Sequence, residues 1–115
     1  MTICRILPLP ALLIAAGLLW LPSGAGVAAP AGPQRGEILF RSQCGGCHLE
    51  NGFGTRILAR RTPEGQAPLE RREGLDARFV IRIVRSGIGS MPQIRRAELS
   101  DGDLEAIALY LEAGE

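Results

Sequence analysis

Beyond residue 33, apolar residues recur at helical spacing in three separate stretches, and no stretch carries a convincing strand alternation. In the first, Gly36, Leu39 and Phe40 share one side while Glu37, Arg41 and Gln43 lie elsewhere, which predicts a helix over residues 34–42. The second places Phe79, Val80, Ile83 and Val84 on one face and Arg78, Arg82 and Arg85 on the other. Asp76 stands where an N-cap is needed and Gly87 where the helix closes, giving a helix over 77–86. The third begins from Ser100 as N-cap, with Asp103 in the capping-box position and Leu104, Ile107, Ala108 and Leu111 as its buried stripe. Residues 49–74 read mostly as loop, with a helical turn at most over 58–61, and residues 88–99 as an extended loop around Met91-Pro92. The prediction is an all-α domain of three main helices joined by long loops.

The N-terminal stretch follows a different pattern. Arg5 is followed by an uncharged apolar run over residues 6–21, and then by small residues ending Gly26-Val27-Ala28. This is the layout of a secretory signal peptide cleaved after Ala28, with Ala25 and Ala29 as alternative positions. A membrane anchor is the competing reading, but a run of roughly 16 residues containing Pro8 and Pro10 is short of the roughly 20 that a span needs. Residues 1–28 are therefore expected to leave, 29–33 to form a flexible lead-in, and 34–115 to form one domain. The expected location is the periplasm, without stable membrane insertion.

Charge narrows the partners. Thirteen arginines and no lysine stand against twelve Asp and Glu, and losing Arg5 makes the balance even. With no net field of either sign, nucleic acid is not an expected partner, and steering must come from local patches. A mature chain of about 87 residues also buries too little surface to be comfortably stable unaided, so a large apolar group at its centre would complete the core.

The cysteines point to that group. Cys4 departs with the leader, which leaves Cys44 and Cys47 in Cys44-Gly45-Gly46-Cys47-His48. C-x-x-C-H is the attachment signature of c-type haem. Two thiols at this spacing present both sulfurs on one side of a short turn, towards the two vinyl groups of one porphyrin. Gly45-Gly46 leaves room for the flat ring, and His48 brings an imidazole under the iron. A thiol–disulfide pair would want a βαβ context, and no thiol remains for a four-cysteine zinc site. Covalent haem is attached outside the cytoplasm, in agreement with the leader.

His48 is the only histidine and is expected to be the proximal iron ligand, its other ring nitrogen donating to a backbone carbonyl. Once Met1 is gone, Met91 is the only methionine, in Gly87-Ile88-Gly89-Ser90-Met91-Pro92. A core methionine usually sits inside an element; this one lies in a loop stiffened by proline, and it is the expected distal ligand. A thioether ligand favours ferrous iron and raises the potential. Two protein ligands also close the iron, which favours a carrier of single electrons over a haem peroxidase or gas sensor, both of which need an open sixth site. No catalytic residue is expected.

With these motifs the chain resembles the class I c-type cytochromes over nearly all of residues 34–111. The resemblance implies three main helices and loops around one covalently attached haem c, with the first and last helices packed crosswise through Gly36, Phe40 and Tyr110. A narrower resemblance runs through Gly52-Phe53-Gly54-Thr55-x-x-Leu58, Phe79-Val80-x-x-Ile83-Val84-Arg85-x-Gly87, Met91-Pro92 and Ala108-x-Tyr110-Leu111. It is to the small cytochrome subunit of p-cresol methylhydroxylase-type flavocytochromes, and implies tight binding to a flavoprotein. In that family a proline carbonyl often accepts the bond from the proximal histidine; Thr55 stands at the corresponding place here. The implied partners are a periplasmic flavin or quinone dehydrogenase as donor and a downstream cytochrome or oxidase as acceptor.

Arg56, Arg60, Arg61, Arg71 and Arg72 crowd around Glu64, Glu70 and Glu73. Three readings stay open for them: solvated loop charge, pairing with haem propionates through bidentate guanidinium contacts, and docking to an acidic partner.

Overall fold

The computed structural model describes residues 32–114. The predicted signal peptide, its predicted cleavage point and most of the predicted lead-in lie outside the described residues. The chain runs α1 (Pro33–Gln43), α2 (Gly45–His48), α3 (Phe53–Leu58), a 3₁₀ turn (Leu69–Arg71), α4 (Ala77–Ser86) and α5 (Asp101–Ala113). Pro33, read as lead-in, is the first helical residue, where its missing N–H and fixed φ are no handicap. The second predicted helix matches α4, with the Asp76 carboxylate accepting from the Phe79 N–H and Gly87 as the C-cap at φ 72°. Among the described residues the only β pairing is an isolated bridge between Ile88 and Met91.

Helix α3 is a correction to the loop expected over 49–74. A helix this short has no amphipathic repeat to read, and its stability comes from what it packs on. Here the buried Thr55 hydroxyl donates to the Leu49 carbonyl at 2.9 Å and reaches the Cys47 carbonyl at 3.4 Å, tying α3 to the turn before it.

Helices α1 and α5 cross face to face, and Gly36 makes the crossing possible. A Cβ at Gly36 would lie 2.2 Å from the Ala106 carbonyl oxygen and 2.6 Å from Tyr110 Cβ. One turn on, the Phe40 and Tyr110 rings sit 6.0 Å apart between centroids. Around them the core gathers Phe40, Val84, Leu99, Leu104, Ile107 and Leu111. The Tyr110 hydroxyl donates to Glu70 at 2.9 Å, and Arg41 pairs with the same carboxylate oxygen at 3.0 Å. This carboxylate, only 12 % exposed, thereby anchors the 3₁₀ turn to the crossing.

Polar contacts close the ends. Ser100 caps α5 by accepting from the Asp103 N–H at 3.1 Å, and the Asp103 carboxylate reaches across to Arg35 on α1. Glu112, near the far end of α5, accepts from the Ala77 N–H at the start of α4. Arg35, then Ser100, hold Asp103 below its ordinary pKa, and Arg96 and Arg85 do the same for Asp101. A carboxyl depressed in the folded state stabilises fully above its unfolded value and loses that contribution as pH falls through the folded one. The unfolding midpoint should therefore fall as pH drops below the ordinary aspartate value of 3.8. The fall should be shallower in Asp103→Asn; equal acid profiles for the two proteins in thermal melts would contradict the assignment.

Candidate functional site

Helix α2 is little more than the motif itself. The Cys47 and His48 N–H groups both donate to the Cys44 carbonyl, at 3.1 and 3.0 Å, which turns the two thiols and the imidazole about one point. Cys44 is half-buried and Cys47 exposed. Gly46 leaves open space where a side chain would stand, whereas Gly45 makes room for Leu49. Burial, and secondarily Cys47, push the Cys44 thiol above its usual pKa. An attacking thiol of a disulfide-exchange protein needs the opposite shift.

Helix α3 packs against the imidazole from behind. A Cβ at Gly54 would lie 3.1 Å from His48 Cε1, so glycine lets the two approach. Burial holds His48 below its usual pKa, which favours the neutral ring that ligates metal. Nδ1 is buried and has no hydrogen-bond partner among the described residues. The backbone-carbonyl acceptor expected for it is thus not found: Thr55 at the corresponding place spends its hydroxyl on the Leu49 and Cys47 carbonyls.

Met91 is presented by a tight turn. Ile88 N–H donates to the Met91 carbonyl at 3.0 Å and Met91 N–H to the Ile88 carbonyl at 2.9 Å, around Gly89-Ser90. Gly87 brings this turn back against the end of α4; a Cβ there would lie 2.8 Å from the Met91 oxygen and 2.9 Å from Gln93 N. Arg85 donates to the carbonyls of Ile94 and Leu99 and to Asp101. Its placement on the solvent side of α4 is therefore corrected: it turns in because loop carbonyls without ladder partners need donors.

All four sequence-predicted site residues come together. A cleft of about 640 Å³ has Cys44, His48 and Met91 in its walls, with Phe79, Val80 and Ile83 from α4. A second cleft of about 350 Å³ has Cys47, His48 and Met91, with Phe53, Ile57 and Pro92. His48, Leu58, Ile88 and Met91 belong to both, so the clefts share the imidazole and the thioether. Phe79 and Ile88 are 44 % and 59 % exposed, apolar wall that the chain alone does not cover. A desolvated imidazole, a thioether, two thiols at the rim and apolar walls of this extent fit a haem c.

The crowded arginines separate. Arg71 pairs with Glu50, and Arg56 donates to the Asn51 carbonyl at 3.0 Å. Arg72 stands in the wall of the larger cleft and Arg61 in that of the smaller, neither with an ion-pair partner among the described residues. Gly54 and Arg85 are site residues to which the sequence assigned no role, and Thr55, placed by the sequence opposite the family's proline, serves instead to tie α3 to the turn before it.

Helices crossing at a glycine, and a C-x-x-C-H turn and a methionine loop facing two adjoining apolar clefts, define a class I c-type cytochrome domain. The family model described as cytochrome C oxidase, cbb3-type, subunit III matches residues 31–111, and the chain belongs to that family. The domain binds haem c and serves haem-based electron transfer. No curated protein and no solved structure matches the chain, so the narrower resemblance to flavocytochrome subunits gains no support. Among the described residues no helix is long and apolar enough to cross a membrane.

Proposed function

We propose that the protein is an exported, periplasmic single-electron carrier with one covalent haem c held by Cys44 and Cys47 and ligated by His48 and Met91. The observation that carries this reading is that these four side chains line two adjoining apolar clefts that share His48 and Met91. Bound there, haem c supplies a one-electron couple. His48 offers a neutral imidazole from a rigid turn, and Met91 offers a soft thioether that favours the ferrous state. His48 and Met91 together would hold the iron and leave substrate and oxygen no place on it, against the peroxidase and sensor alternatives. Phe79, Val80 and Ile83 would shield the ring from water, and Arg61 and Arg72, in the cleft walls, would be available to pair with its carboxylates. The exposed rim at Cys47, Phe53 and Ile88 would be where electrons pass to and from the group. The donor is a periplasmic flavin or quinone dehydrogenase and the acceptor a downstream cytochrome or oxidase.

A second reading, favoured by the family's description as an oxidase subunit, fixes the domain within a terminal oxidase as its electron-delivering part. Mild pull-down of the tagged protein separates the two: a lone low-spin cytochrome supports the shuttle, and stoichiometric co-elution of an oxidase supports the subunit.

The ligand set has its own test. Met91→Ala should retain covalent haem, bind carbon monoxide readily, and lower the potential by on the order of 0.1–0.3 V, within the roughly 0.8 V that axial ligands span. An unchanged potential in redox titration would remove Met91 from the ligand set.

A further inference from the structure

We infer that Arg85 is a positioning residue for Met91, its guanidinium holding the loop from Gly87 to Leu99 closed; this rests on Met91 being an iron ligand. Arg78 and Arg82 on the same helix are exposed, but the Arg85 side chain is only 16 % exposed. From the last turn of α4, Nη1 donates to the Ile94 carbonyl at 2.9 Å. Nη2 donates to the Leu99 carbonyl at 2.9 Å and to Asp101 Oδ1 at 2.8 Å. Ile94 and Leu99 lie on the returning limb of the loop whose outgoing limb carries Met91, and Asp101 opens α5 directly after it. One backbone bond, Ile94 N–H to the Val84 carbonyl at 2.8 Å, joins the same limb to α4. The two terminal nitrogens of one rigid, planar fork thus reach three acceptors, a geometry that a flexible point-charge ammonium does not reproduce.

Its cost points the same way. Arg85 Nε is buried with no hydrogen-bond partner among the described residues. A desolvated N–H left unpaired is unfavourable, so the residue is a poor choice for bulk stability and a good one for fixing geometry. A thioether is a neutral ligand with no charge to hold it in place. How often it leaves the iron is governed by how often its loop opens, and Arg85 sets that population.

The experiment compares holoprotein of the wild type, Arg85→Lys and, as control, the exposed Arg78→Lys. The readouts are imidazole binding to the ferric form, the charge-transfer band that reports thioether ligation, and the thermal midpoint. Arg85→Lys should bind imidazole about tenfold more tightly or better, the equivalent of one lost charged hydrogen bond, with a weakened band. Arg78→Lys should match the wild type. A lowered midpoint with unchanged imidazole affinity and band would make Arg85 merely structural and overturn the inference. A wild type that lacks the band and already binds imidazole freely would overturn the Met91 reading and this inference with it. Should Arg85→Lys yield no holoprotein, Asp101→Asn is read in the same assay: a smaller rise in affinity supports the assignment, and none overturns it.

Discussion

His48→Ala is expected to leave the protein nearly without haem. His48 is the only histidine in the chain, so no second imidazole can replace it. It also belongs to the turn that aims both thiols, through the bond from its N–H to the Cys44 carbonyl. The alanine variant keeps that backbone bond but removes the side chain through which the motif is proposed to hold iron. Loss of an outer-shell partner of a metal-bound histidine costs about 10–100-fold in affinity, and loss of the ligand itself should reach at least the upper end. Covalent haem per polypeptide, measured on the exported chain, checks this; wild-type haem content would show that the thiols alone capture the group and that His48 is dispensable.

Gly36→Ala should be the most damaging single-methyl change in the fold. The added Cβ would meet the Ala106 carbonyl oxygen at 2.2 Å, Tyr110 Cβ at 2.6 Å and the Ala106 carbonyl carbon at 2.9 Å. Two of those three atoms are backbone of α5, so no side-chain rotation relieves the clash and the helices must move apart. Separation also pulls on the Phe40–Tyr110 contact and on the Glu70 anchor that Tyr110 and Arg41 hold. Overpacking of this kind costs on the order of 3 kcal/mol, which in a domain of this size lowers the thermal midpoint by about 10–20 °C. Circular dichroism melts of the holoprotein provide the measurement. A midpoint within a few degrees of wild type would mean that α1 and α5 tolerate a wider crossing than the structure shows.

Much of the architecture was legible because it depends on neighbours in sequence. Phe79, Val80, Ile83 and Val84 recur at helical spacing, Asp76 and Gly87 bracket them, and α4 lies where they say. Leu104, Ile107, Ala108 and Leu111 are buried as the stripe requires. The haem motif is legible for the same reason: two thiols and an imidazole within five residues leave the chain few ways to arrange them. Helix α3 escaped because six residues cannot display a period, and what holds it is a threonine hydroxyl on carbonyls six and eight residues earlier.

By itself, then, the sequence determined the helices whose faces repeat and the attachment turn, and it offered His48 and Met91 as the ligand candidates on which the proposal rests. Tertiary structure decided which polar residues serve that site. Arg85 shares a helix with Arg78 and Arg82, and its own neighbours do not distinguish it from them. Only the return of the loop over α4 brings Ile94, Leu99 and Asp101 within its reach. Likewise Glu70 becomes an anchor, and Arg61 and Arg72 become cleft walls, once α1 and α5 have crossed and the long loop has closed over them. Charge on a loop has no preferred partner until packing supplies one, and that packing is set by contacts between residues far apart in the chain.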